Sequence, residues 1–259
     1  MTGDPRPSSI LTERRGQTLI ITLNRPEVRN AIDMSVANGI AGALAELDDD
    51  PGLMVGVING NGRGFCSGMD LKAFLVQGEP VVEGRGFAGI VERPASKPLI
   101  AAIEGFALAG GLEVALACDL IVAAENAKLG LPEVKRSLIA TGGGLRRLPR
   151  RLSFGLALEL ALTGEAITAE RAYEAGLVNR VTPAGAALDT ALQLAELIAT
   201  NGPLALAGTK RIMYEQMNWS DHDFWARQAE IARPVEASAD AREGSTAFAE
   251  KRPPLWQGR

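Results

Sequence analysis

The chain has 259 residues, 46% of them hydrophobic and 22% charged, a balance that fits one large folded unit with at most a modest appendage and excludes a disordered, collagen-like or coiled-coil protein. Lys+Arg 27 against Asp+Glu 31 leaves a formal charge of −4, the wrong sign for a protein whose main occupation is gripping a nucleic-acid backbone. Cys66 and Cys118 lie far apart, offer no disulfide framework and fit a reducing cytoplasm. The one histidine, His222, removes multi-histidine zinc sites, so no metal site is expected, and any Ser–His or Cys–His relay would depend on that ring. The opening MTGDPRPSSILTERRG lacks the basic-then-apolar layout of a secretory signal. The longest charge-free run, 197–209, is shorter than the ~18 apolar residues of a spanning helix, so no membrane partner is expected.

Alternating apolar residues in QTLIITL, 17–23, predict a strand, and NRPEVRN supplies turn chemistry. Residues 31–47 carry helical apolar spacing, with Asp33 as candidate N-cap. LMVGVING, 53–60, reads as a buried strand stopped by glycines before a wide loop, NGRGFCSGMD. PLIAAIEG, from Pro98, reads as another short strand, FALAGG as a turn, LEVALACD as a helix beginning near Gly110, and DLIVAAENAKLGLPEV as further strand material. The first two-thirds thus reads as repeated strand–strand–helix turns. From about Leu145 helical periodicity takes over and continues through the polar run 221–241, until Pro253 and Pro254 stop regular structure. The division expected is a core over 1–200 and a C-terminal helical region over 201–259, packed on the core or on a neighbouring subunit.

Gly84, Gly86 and Gly89 match G-x-G-x-x-G, but GEPVVE before them is too short and charged for the buried strand a dinucleotide site requires, so the segment reads as a loop. Two other glycine-rich loops, GRGFCSGMDLKAF and EGFALAGGLEVALACD, each follow a strand and lead into a helix. Either reads as a tight turn. Two such loops converging would also aim two main-chain N–H groups at one oxygen, as an enolate or tetrahedral oxyanion requires. Glu113, three residues after Gly110, has only uncharged neighbours, which suits an acid–base group of raised pKa or a carboxylate neutralised by a partner. Glu133, in LGLPEV, reads on its own as an exposed loop carboxylate. Asp70 reads as a helix cap, Asp119 as a buried hydrogen-bonding residue at a strand start, and Cys66 as a small core or loop residue.

These residues resemble the enoyl-CoA hydratase/isomerase (crotonase) superfamily nearly end to end. LNRPEVRNA, GRGFCSGMDLKAF, AAIEGFALAGGLEVALACDLIVAAENAKLGLPEV, LTGEAITAERAYEAGLVNRV and AFAEKRPPLWQG occur in the family's order and spacing. The stretch from FAGIVE through LRRLP to AFAEKR is similar to carnitinyl-CoA dehydratase-like members. The resemblance implies an α/β fold, with a core of ββα turns wound into a superhelix and a C-terminal helical region, assembled as a homotrimer or dimer of trimers. It implies acyl-CoA thioester substrates, with coenzyme A as part of the substrate and no separate cofactor. The thioester oxygen is then held by the N–H groups of Ser67 and Gly110, and the two glutamates that hold water in hydratases fall on Glu113 and Glu133. Arg29, Phe248 and Lys251 occupy positions that commonly meet CoA.

Water addition needs one carboxylate to activate the nucleophile and a second to manage the proton at Cα, whereas a simple isomerase works with one, typically at the Glu133 position. The aspartate of the family's dienoyl isomerases is replaced by Thr141. Ala140-Thr141 and Ser137 also depart from the usual hydratase turn, which leaves the acyl group open. The expected activity is that of an enoyl-CoA hydratase, or a dehydratase of a 3-hydroxyacyl-CoA such as carnitinyl-CoA; the alternatives are an enoyl-CoA isomerase and a non-catalytic acyl-CoA-binding member.

Overall fold

The computed structural model describes residues 8–259; the first seven, part of the stretch read above for a secretory signal, lie outside it. Eleven strands occur among the described residues: β1 (Ile10–Arg15), β2 (Thr18–Leu23), β3 (Val55–Gly60), β4 (Val81–Val82), β5 (Gly86–Phe87), β6 (Leu99–Ile103), β7 (Phe106–Leu108), β8 (Leu120–Ala124), β9 (Lys128–Gly130), β10 (Ile167–Thr168) and β11 (Arg180–Thr182). The main sheet has the order β1-β2-β3-β6-β8-β11 and is parallel apart from the β1/β2 hairpin. A second sheet joins β10, β9 and β7, and β4/β5 form a short hairpin.

Helices fill the crossovers: α1 (Met34–Asp49), α2 (Leu71–Gln77), α3 (Gly110–Ala117), α4 (Gly144–Arg151), α5 (Phe154–Thr163), α6 (Ala169–Glu174) and α7 (Ala187–Ala199). The central strands are apolar on both faces because both are covered, the usual condition of a parallel sheet. Along β2, Leu19 and Ile21 join the large core with α1 and α3, while Ile20 turns to a second core with Val57, Ile100 and α7. That alternation is the two-residue period of a strand. Asp33 starts α1, accepting the Val36 N–H at 3.0 Å and pairing with Arg25 at 3.1 Å.

Four elements differ from the sequence reading. FALAGG is not all turn: Phe106–Leu108 is β7, parallel to β9, and only Ala109 makes the turn. A three-residue strand carries too little periodicity to register. Strand β1 escaped because five of its six residues are exposed, and β10 and β11 because they are two and three residues long.

The chain ends in α8 (Pro203–Glu215), α9 (Asp221–Glu236) and α10 (Ala239–Glu250). Leu206 of α8 packs on the second core, and Lys210 Nζ reaches Asp119 at 2.7 Å and the Lys97 carbonyl at 2.8 Å. The tail folds back on α10, where buried Asp240 accepts the N–H groups of Gln257 and Gly258 at 2.7 and 2.9 Å. Asp33→Ala removes both a helix cap and an ion pair, so the unfolding free energy is expected to drop by about 1–2 kcal/mol. Urea titration reads this directly, and an unchanged midpoint contradicts it.

Candidate functional site

Loop 61–70 is pinned before it reaches the site. Buried Asn30, in the left-handed region at φ 55°, accepts the Arg25 N–H and donates to the carbonyls of Asn61 and Gly64 at 2.9 Å each. The Arg25 guanidinium spans Asp33 and Asp70, both at 3.1 Å. Cys66 donates its thiol to the Asn30 carbonyl at 3.1 Å and accepts the Gly68 N–H at 3.3 Å. Burial pushes that thiol up to about 12, which makes Cys66 a packing element and not a nucleophile.

The pairing of this loop decides which N–H groups remain available. Ser67 donates to the Arg29 carbonyl at 3.1 Å. Ile32 takes the Gly68 carbonyl with its N–H and gives its own carbonyl to the Asp70 N–H, both at 2.8 Å. In such a bridge the intervening residue turns its polar groups the other way. The Met69 N–H therefore points away from Ile32, and among the described residues it has no acceptor. It looks toward Gly110, where a methyl group built on the α-carbon would lie 3.5 Å from Met69 N.

Gly110 opens α3. Strand β7 ends at Leu108, and Ala109 turns the chain at φ 52° and ψ −131°, a conformation costly for an L residue, with its N–H fixed on the Gly130 carbonyl at 2.9 Å. The first N–H groups of a helix lack intrahelical acceptors, and that of Gly110 has none among the described residues. A side chain at Gly110 would strike the Phe87 ring at 2.6 Å, and one at Gly111 would strike the Cys66 carbonyl, so these glycines let α3 close on loop 66–69. The sequence reading of Ser67 is corrected here: its N–H is consumed by Arg29, and the donor that stands free beside Gly110 belongs to Met69. Main-chain donors leave no side-chain signature, and only the register of the Ile32–Met69 bridge reveals this one.

Glu113 lies in the first turn of α3 and is 4% exposed. Its Oε1 accepts the Gly144 N–H at 2.9 Å. A methyl group on Gly142 would sit 2.5 Å from Oε2 and one on Gly144 3.0 Å from Oε1, so the glycine run is what lets the chain wrap the carboxylate. Burial pushes the Glu113 pKa up to about 7; the Gly144 and Gly142 N–H groups and Arg147 pull it down, while the charge of Glu133 adds to the rise. Glu133 rides on a 3₁₀ turn, Pro132–Arg136, and burial raises its pKa too. Its Oε2 is buried with no hydrogen-bond partner among the described residues. Both carboxylates, Met69, Gly110 and Phe87 line one cavity of about 2100 Å³.

The other candidates divide. Arg29 lines the same cavity, whereas Phe248, 87% exposed, and Lys251 lie on the α10 end outside it. Asp70 caps α2 through the N–H groups of Lys72 and Ala73. Asp119 accepts the Leu99 N–H at 2.7 Å besides Lys210. Ser137 holds a left-handed turn at φ 55°, and Thr141 faces the cavity. Gly84, Gly86 and Gly89 all have positive φ in and after the β4/β5 hairpin, with no helix following. Among the described residues no three His, Cys, Asp or Glu side chains gather as a metal would need.

A carboxyl raised from 4.5 to about 7 leaves stability untouched below pH 4.5 and lowers it progressively as pH rises to about 7, by about 3 kcal/mol in all. Glu113→Gln removes that slope. Between about pH 5 and pH 8 the wild-type melting temperature is expected to fall by several degrees relative to the variant's, and parallel curves contradict the burial argument.

Residues 13–259 match the family described as enoyl-CoA hydratase/isomerase. The chain is 43% identical over 256 residues to enoyl-CoA hydratase EchA19 of Mycobacterium tuberculosis, covering 96% of each. It is 40% identical over 253 residues to carnitinyl-CoA dehydratase of Proteus mirabilis, covering 95% of this chain and 97% of that one. A crystal structure of enoyl-CoA hydratase from Mycobacterium tuberculosis H37Rv superposes with a TM-score of 0.96 at 54% identity, over 97% of this chain and 100% of the other. With its mixed sheet, crossover helices and C-terminal helices, the chain has the crotonase fold and belongs to the enoyl-CoA hydratase/isomerase family.

Proposed function

We propose that the protein is an enoyl-CoA hydratase, adding water reversibly across the α,β double bond of a 2-enoyl-CoA or dehydrating a 3-hydroxyacyl-CoA. One observation carries this reading. Two carboxylates, Glu113 buried and Glu133 half-buried, share a cavity with two main-chain N–H groups that have no acceptor of their own among the described residues. A binding protein has no use for two desolvated acids, and an isomerase needs only one.

The thioester oxygen sits between the N–H groups of Met69 and Gly110, each contributing about 3–4 kcal/mol as negative charge grows on it, with the start of α3 adding its positive dipole end. Drawing electrons to that oxygen makes Cβ electrophilic. Glu113, whose oxygens already receive N–H groups from the glycine turn, is the carboxylate that takes a proton from water as the water oxygen bonds to Cβ. Glu133, with an unpartnered buried oxygen in the same cavity, is the acid that delivers a proton to Cα. The product gains one water, the proton count is unchanged, and the proton left on Glu113 returns to Glu133 through solvent.

Coenzyme A enters as part of the substrate and no separate cofactor is proposed. Arg29 meets CoA along the cavity, a role supported by its position in the cavity lining. Phe248 and Lys251, turned away from their own cavity, meet the CoA of a neighbouring copy in a homotrimer or dimer of trimers. Exposed Trp225, Met213 and Phe248 on α8–α10 support such an assembly. Two buried, unpaired thiols support a cytoplasmic location, and among the described residues no helix is long and apolar enough to cross a membrane.

Glu113→Gln and Glu133→Gln are each expected to depress hydration of crotonyl-CoA by about 10²–10⁴-fold while the far-ultraviolet spectrum stays wild type. Near wild-type turnover in either variant defeats the two-carboxylate scheme. With a 3-enoyl-CoA, accumulation of the 2-enoyl product without hydroxyacyl product would assign an isomerase instead.

A further inference from the structure

The cavity continues past the two glutamates along α4 toward α8, and there its wall is cationic. Arg147 and Arg151, one turn apart on α4, line it with Lys210 and Tyr214 of α8. Both arginines are only partly exposed, and among the described residues neither stands in an ion pair. Their guanidinium groups donate to main-chain carbonyls, Arg147 to Val91 and Arg151 to Cys118, and the Tyr214 hydroxyl stands within hydrogen-bonding reach of both Arg151 and Asp119. Asp119, on the same wall, already holds Lys210 and the Leu99 N–H through one oxygen. Glu230 of α9 lines the cavity from an exposed position and pairs with neither arginine.

Arg147 lies within electrostatic reach of Glu113 on one side and of Tyr214 and Arg151 on the other. The cations therefore share one cavity with Glu113, Glu133, Met69 and Gly110, and that cavity has room for an acyl chain to run toward them once its thioester is held at Met69 and Gly110. Two guanidinium groups partly removed from water and outside any ion pair are costly, and an anion of matching shape recovers that cost through paired N–H donors. We propose that Arg147 and Arg151 receive a carboxylate at the far end of the acyl group, so that the favoured substrates are 2-enoyl thioesters whose chain ends in a carboxylate. This rests on the hydratase reading of the same cavity.

The test uses saturated six-carbon acyl-CoA thioesters ending in a carboxylate, in the same-shaped carboxamide, or in a trimethylammonium group of similar reach. They are titrated calorimetrically into the wild-type protein, Arg151→Met and Arg151→Lys, with hydration of the matching 2-enoyl carboxylate and carboxamide thioesters followed alongside. The wild type is expected to bind the carboxylate at least about tenfold more tightly than the carboxamide and the trimethylammonium compound most weakly. That ratio is expected to collapse toward one in Arg151→Met, to be partly kept in Arg151→Lys, and to be mirrored in kcat/KM. Equal wild-type affinities, a preference for the trimethylammonium compound, or a ratio that Arg151→Met leaves intact overturns the proposal. Equal losses for carboxylate and carboxamide also overturn it, since they assign Arg151 to the CoA phosphates or to structure. Calorimetry needs no turnover, so a carboxylate preference without hydration of any enoyl thioester counts against the hydratase reading alone.

Discussion

The site depends on one register. Because Ile32 bridges Met69, and not a neighbour, the Gly68 carbonyl and Asp70 N–H are used up on one side of the loop and the Met69 N–H is left facing the other. A slip of one residue would reverse every polar group in the segment. The register is held from several directions at once, by Asn30 beneath the loop, by Arg25 between two aspartates, and by the Cys66 thiol inside it. On the facing side, Ala109 accepts an unfavourable backbone conformation so that α3 begins immediately after β7, with its first residue beside the Met69 N–H. The strain and the two unmet N–H groups are offset by the two apolar cores around them.

The carboxylate half of the site is built by subtraction. Gly142 and Gly144 approach Glu113 so closely that any side chain there would collide with its oxygens, and those contacts supply the N–H groups that keep a nearly dry carboxylate ionisable. Glu133 receives no comparable support on its buried oxygen. On the proposed reading the two acids divide the work: Glu113, held by the N–H groups of the glycine turn, takes the proton from water, and Glu133 delivers one to Cα.

Much of this was legible in the sequence. Strands β2, β3, β6 and β8 announced themselves by apolar runs, α1 by its period and its Asp33 cap, and Glu113 by an isolated charge among glycines and alanines. Glu133 became informative only through its family position, because Pro132 and Val134 beside it give no sign of burial. What stayed hidden has a common physical origin. The role proposed for Met69 lies in a main-chain hydrogen, β7 is too short to show alternation, and the cationic wall depends on α4 and α8 lining one cavity across about fifty residues of intervening chain. Phe248 and Lys251 illustrate the converse: their positions fit the family, yet in a single copy α10 carries them away from the cavity.

The most direct test of the central claim is a crystal structure with a non-reacting acyl-CoA thioester bound. The account requires the thioester oxygen to lie about 2.7–3.1 Å from both Met69 N and Gly110 N, with Cα and Cβ between Glu113 and Glu133 and the Ser67 N–H still on the Arg29 carbonyl. An oxygen seated on the Ser67 N–H, or one that meets neither main-chain donor, contradicts it.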